Sequence, residues 1–147
     1  MTLTIEQRLQ HLEDLEALRA LQAHYAETVN TGWNNKQLDL DGVRHLFTTD
    51  AYWKSAMMNV DIKGRENITN MLQDQVVTND AINMHNFTSP QLTINQNEAT
   101  GEWLLWVLVK TPDQGTMVVY QSENVSYRRE ADGWKIAGLT LHLATMN

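Results

Sequence analysis

The sequence predicts an α+β fold in which N-terminal helices pack on one face of a curved, mostly antiparallel sheet. Three observations carry that prediction. Leu15, Leu18, Leu21, Tyr25 and Val29 recur at the spacing of one helical face. The second half of the chain is a series of long strand-like runs separated by turn signals. One of those runs, from Trp103 to Val109, is apolar on both faces and needs cover on both sides.

Each element follows in order. Thr4-Ile5-Glu6-Gln7 fits a capping box, and Ile5, Leu9 and Leu12 extend the apolar stripe backwards. The segment from Ile5 to Val29 reads as one helix, or as two pieces broken near Glu13-Asp14, with Gly32 as its stop. After a polar loop, Asp41 is expected to cap a short helix over 42–47. Thr48-Thr49-Asp50 is a turn signal, and residues 51–55 and 59–63 form a hairpin. A third helix spans 65–77, with Ile68, Met71, Leu72 and Val76 on one side, and Asn79-Asp80 is a loop. Strands follow over 82–95, 99–110, 116–129 and 134–144. Pro90 marks an edge or a bulge, and Asp132-Gly133 a tight turn.

A chain of 147 residues, 42% hydrophobic and 20% charged, is expected to be a single domain, residues 1–147, with one core. The net charge of −7 argues against nucleic acid and against anionic membrane surfaces as partners. With no cysteine, the chain has no disulfides, thiolate chemistry or cysteine-bound metal. No run approaches the roughly 18 apolar residues of a membrane span, and the polar start carries no signal peptide, so the expected location is cytoplasmic. Phosphate-binding loops, HExxH and Gly-x-Ser-x-Gly are absent; no cofactor and no metal are expected. The doubly apolar strand predicts a homodimer through the sheet.

Five strings in order point to a family: Leu18 to Tyr25; Leu46 to Trp53; Ile62 to Ile68; His85 with Pro90, Ile94 and Ala99 to Trp103; and Arg129 to Ile136, ending in Gly133-Trp134-Lys135-Ile136. Together they resemble the SnoaL-like branch of the NTF2-like superfamily. This is the cone-shaped α+β fold of polyketide cyclases, scytalone dehydratase and bile-acid dehydratase. The resemblance implies a sheet wrapped around a pocket, with the first helix as one wall and His85 pointing in.

It also implies roles. Tyr25 matches a pocket tyrosine that hydrogen-bonds substrate oxygen, and a phenol can do this without ionising. The alternative is a core tyrosine bonded to a backbone carbonyl. His85 matches the sheet histidine that moves protons, for which an imidazole suits neutral pH. Its alternative is a buried, satisfied histidine. The dehydratases pair that histidine with an acid and carry an acid on the first helix just after the tyrosine. Here Asn30 takes the helix position, where it is expected to contact substrate, and the strand from Trp103 to Val109 has no acid. Glu123, in mid-strand, is exposed, paired or functional, and is the candidate to orient His85.

The candidate catalytic residues are therefore Tyr25, His85 and Glu123. Asn30, Trp33, Trp53, Met58 and Trp106 are the candidates to bind a small apolar ligand. The function expected is a small cofactor-independent lyase or isomerase, with dehydratase-like acid–base chemistry on an apolar oxygenated molecule. The alternative is a non-catalytic binder using the same pocket.

Overall fold

A computed structural model describes residues 2–76 and 81–147. Three helices pack on a six-stranded sheet in the order α1 (Ile5–Val29), α2 (Leu40–Leu46), β1 (Phe47–Ser55), β2 (Val60–Lys63), α3 (Arg65–Val76), β3 (Ile82–Asn95), β4 (Glu98–Thr111), β5 (Gly115–Glu130), β6 (Gly133–Met146). The spatial order of the strands is β2-β1-β6-β5-β4-β3. Every pairing is antiparallel except β1 with β6. The expected α+β architecture is thus the one observed. No helix of the described residues is long and apolar enough to cross a membrane.

α1 is a single helix, closed at its start by the expected capping box between Thr4 and Gln7. Its apolar stripe divides at Asp14. Leu18, Leu21, Tyr25 and Val29 are buried, whereas Ile5, Leu9 and Leu12 are exposed, which corrects the expectation of one continuous buried face. The divide coincides with the anchor of the helix on the sheet. Asp14 accepts hydrogen bonds from Arg129 Nη1 (2.8 Å) and Nη2 (2.7 Å) and from Trp134 Nε1 (3.1 Å). The guanidinium also lies 4.5 Å from the Trp134 ring centroid.

The Arg129 hydrogen bonds hold the Asp14 carboxyl below the usual carboxylate range. Its contribution to stability is therefore present above the ordinary carboxylate pKa and is lost as pH falls through the lowered one. Replacing Asp14 by Ala removes the carboxylate that accepts from Trp134 Nε1 and from both terminal nitrogens of Arg129, whose Nε keeps Asn97 Oδ1 at 3.2 Å. It should cost about 2–4 kcal/mol in urea unfolding at neutral pH. A cost below about 0.5 kcal/mol would show that the anchor is not a major support of the fold.

Three local readings differ from the sequence expectation. α2 is capped by Asp39, whose Oδ1 accepts from Gly42 N–H (2.9 Å), rather than by Asp41, which binds Arg44. Thr48-Thr49-Asp50 continues β1 instead of turning. Its turn chemistry survives as a register shift between Phe47 and Tyr52, where β1 pairs with β6. The expectations for Val77, Asn79, Asp80 and the Val76 side chain lie outside the described residues. Pro90 behaves as its chemistry requires. It sits on the edge strand β3, where the register slips between Thr88 and Gln91.

Strand alternation gives the sheet two different faces. Trp103, Leu105 and Val107 of β4 point inward to α1, with Val125, Tyr127, Ile136 and Leu139 beside them in the core. Leu104, Trp106 and Leu108 point outward, and Leu104 is 54% exposed.

Candidate active site

The site begins where α1 ends. Asn30 leaves the helix in an extended conformation, and Thr31 pairs with Asn83 of β3 through two backbone hydrogen bonds of 3.0 and 3.1 Å. The next residue is Gly32, with φ of +97°; a Cβ there would overlap the Ala81 carbonyl oxygen. This close docking brings the Asn30 side chain against β3. Its Oδ1 accepts from the backbone N–H of His85 at 2.8 Å and lies 3.2 Å from His85 Nδ1.

These two contacts fix the chemistry of the imidazole. A backbone N–H is only a donor, so the Asn30 atom facing it is the amide oxygen. An amide oxygen is only an acceptor, so Nδ1 carries the proton. Nε2 is then the unprotonated nitrogen, free to take a proton. Desolvation of the half-buried ring lowers the His85 pKa to about 4, which keeps it neutral, with Nε2 unprotonated, at physiological pH.

Tyr25 is buried on α1, edge-on to Phe47 at 5.7 Å between ring centroids. Trp53 Nε1 donates to its phenol oxygen at 3.3 Å. Because an indole N–H cannot accept, the Tyr25 O–H remains available as a donor. Burial, with a smaller contribution from the Glu123 charge, pushes the phenol above its ordinary pKa and keeps it protonated.

Glu123 lies on the inner face of β5, between Trp103 of β4 and Leu141 of β6, and is 1% exposed. A hydrogen-bond chain supports it. Trp103 Nε1 donates to Tyr127 (2.9 Å), the Tyr127 O–H donates to Gln22 Oε1 (2.8 Å), and Gln22 Nε2 donates to Glu123 Oε1 (2.6 Å). The reverse Gln22 amide would leave the buried Tyr127 O–H without an acceptor. Oε1 of Glu123 is thus committed as an acceptor, and a proton on this carboxyl resides on Oε2. Burial raises the Glu123 pKa to about 8, against a smaller lowering by the Gln22 hydrogen bond, so the acid form dominates at neutral pH.

Tyr25, His85, Glu123, Trp53 and Met58 line one cavity of about 300 Å³ between α1, α3 and the sheet. Its other walls are mainly Met57, Leu72, Leu105, Val107, Val119 and Leu141, with no Lys or Arg among the described residues. A larger, shallower depression of about 490 Å³ includes Asp50, Lys63, Glu98 and Arg128 among its lining residues. Asp50 and Arg128 already bond each other there at 3.0 Å, so the deeper, more apolar cavity is the better candidate.

Four expectations are corrected by this geometry. Glu123 does not orient His85, because its hydrogen bond goes to Gln22. Asn30 does that instead, from behind the cavity wall rather than in contact with its contents. Trp33 is not among the cavity's lining residues; it lies beside Lys36, whose Nζ is 5.6 Å from the ring centroid. Trp106 points to the outer face because its neighbours Leu105 and Val107 point inward. Two participants escaped the sequence reading. Gln22 follows Leu18 by four residues and precedes Tyr25 by three, which places a polar residue on the buried face of α1. Gln121 precedes Glu123 by two on the same strand face.

The profile of the SnoaL-like domain matches residues 10–140. The chain belongs to the SnoaL-like family. No curated protein matches the sequence. Many solved structures match this fold. A hexachlorocyclohexane dehydrochlorinase, LinA-type3 from Novosphingobium barchaimii, is 17% identical over 95% of this chain and 92% of that one, with a TM-score of 0.78. A protein provisionally assigned as a scytalone dehydratase from Novosphingobium aromaticivorans is 14% identical over 93% and 88%, with a TM-score of 0.79. An NTF2-like protein with a cystatin-like fold from the same organism is 21% identical over 92% and 85%, with a TM-score of 0.74. At these identities the shared property is the fold. Among the described residues of this SnoaL-like chain, no group of three His, Asp or Glu is placed to hold a metal ion.

Proposed function

We propose that the protein is a cofactor-independent lyase or isomerase that moves a proton on an apolar, oxygenated small molecule. The observation that carries this reading is the fixed His85 tautomer, which leaves Nε2 unprotonated on a residue that lines the same cavity as Tyr25, whose hydroxyl is free to donate. In a dehydration, Nε2 removes a proton from the carbon next to a carbonyl held by Tyr25. The electron pair forms the C=C bond as the C–O bond of a β-hydroxyl breaks. The Glu123 Oε2 proton leaves with that oxygen as water. The histidine proton then returns through solvent to Glu123. Relatives of this fold include proteins named as a dehydrochlorinase and a dehydratase, which agrees in reaction class.

The test is solvent deuterium exchange at the acidic C–H of β-hydroxy ketones, followed by proton NMR. Exchange or water loss that depends on His85 is the expected result. The second reading is a binder without catalysis, and the neutral Asn30 favours it, because an amide stabilises an imidazolium less than a carboxylate does. Ligand recovered intact, without exchange, would establish that reading and end the first.

A cytoplasmic homodimer through the outer sheet face completes the proposal. Support comes from the outward-facing row of exposed Leu104 and Tyr120 with half-buried Trp106. Wild type should sediment as a dimer at micromolar concentration and Leu104→Glu as a monomer. A wild-type monomer would refute it.

A further inference from the structure

Three polar side chains that line the cavity have no role in the scheme above: Gln75, which is exposed, Asn83, whose amide donates to Thr31 Oγ1 at 3.1 Å, and Gln121. Gln121 stands two residues before Glu123 on β5, on the same inward face, and lines the same cavity. It is 7% exposed, yet its amide Oε1 has no hydrogen-bond partner among the described residues. An unpartnered amide oxygen in an apolar interior is costly, and native structures rarely keep one without use. Its terminal torsion is soft, so the amide can turn toward a ligand at little cost. Beside it, Glu123 Oε1 is occupied by Gln22, which leaves Oε2 as the oxygen of that carboxyl to meet a ligand.

We propose that Gln121 and Glu123 form a binding subsite for the hydroxyl group of an uncharged ligand, with Gln121 setting the preference. A hydroxyl both donates and accepts, and it meets an amide and a carboxyl without leaving either group unmatched. An anion has no cationic side chain to pair with, because no Lys or Arg lines the cavity among the described residues. A hydrocarbon leaves the Gln121 amide orphaned. This subsite rests on the cavity being a small-molecule site, as proposed above, and does not require that it catalyse anything.

The test compares four one-ring probes of similar size by NMR titration at pH 6.5: benzyl alcohol, toluene, benzoate and benzylamine. Wild type should bind benzyl alcohol about fivefold more tightly than toluene and at least about tenfold more tightly than benzoate. Gln121→Met preserves the volume and removes the amide. In that variant the alcohol-to-toluene preference should fall to within about twofold, with toluene bound as well as before or better. An unchanged preference in the variant overturns the assignment. So does wild-type binding that is tightest for benzoate or benzylamine, or no binding of any probe at 10 mM (roughly the weakest fragment affinities worth titrating). If the variant does not fold, the order of the four probes on wild type still decides the ligand class. A preserved hydroxyl preference without deuterium exchange leaves the subsite standing and removes only the catalytic reading. Exchange without that preference removes only the subsite.

Discussion

Replacing His85 by Ala lowers kcat/KM by about 10²–10⁴-fold in any assay that reports proton removal, the usual contribution of a positioned general base. In wild type the activity should rise as pH passes about 4 and the ring loses its proton. It should fall as pH passes about 8, where Glu123 gives up the proton it donates. A companion variant separates the role of Asn30 from mere support. Asn30→Asp sets a carboxylate against Nδ1 and stabilises the imidazolium, so the acid limb of the profile should move upward from about 4 toward the ordinary histidine range. A His85→Ala variant with wild-type rate would end the catalytic reading. An unmoved acid limb in Asn30→Asp would end the assignment of Asn30 as the positioning residue.

Glu123→Gln should make the protein more stable in alkaline solution than wild type. The folded-state pKa of Glu123 is about 8, above its ordinary 4.5. Between those values the folded protein holds a proton that the unfolded chain has released. Stability is therefore full below pH 4.5 and declines as pH rises through 8. The loss for a shift of this size is on the order of 4 kcal/mol. The glutamine has no charge to bury and can still accept from Gln22 through its amide oxygen. Its unfolding free energy should be nearly flat over the same range. Urea titrations at several pH values give both curves, and parallel curves for the two proteins would contradict the account. His85 acts on the other side. Its lowered pKa removes stability as pH falls below the ordinary 6.5, and it does so equally in wild type and variant.

The large elements were legible because their signals are local and redundant. The Thr4–Gln7 capping box, the Leu18–Val29 spacing and the Asp132-Gly133 turn each specify structure within a few residues. Tyr25, His85, Trp53, Met58 and Glu123 were legible as residues of one cavity, by resemblance and by strand parity. Their pairing was not. The resemblance offers Glu123 to His85 because the dehydratases pair that histidine with an acid and the strand from Trp103 to Val109 has none. The Thr31–Asn83 bridge instead delivers Asn30 to the histidine, and no one-dimensional pattern announces a helix end docking on a strand more than fifty residues away. Gln22 and Glu123 are separated by 101 positions and meet for the same reason. Trp106 failed differently. Its apolar character was plain, but in a strand apolar on both faces composition does not say which face is the core.

The docking of Asn30 on β3 places the histidine's proton before any ligand is present. The tautomer is a property of the fold, held by the same oxygen that satisfies a backbone N–H of the strand. The site is in this sense preorganised. The reorganisation a flexible imidazole would undergo on binding substrate is moved into folding, where it is met once. Fraying the last turn of α1 would release the ring to either tautomer, so the protonation pattern of the base is tied to the order of a helix end whose Asn30 is not among the cavity's lining residues.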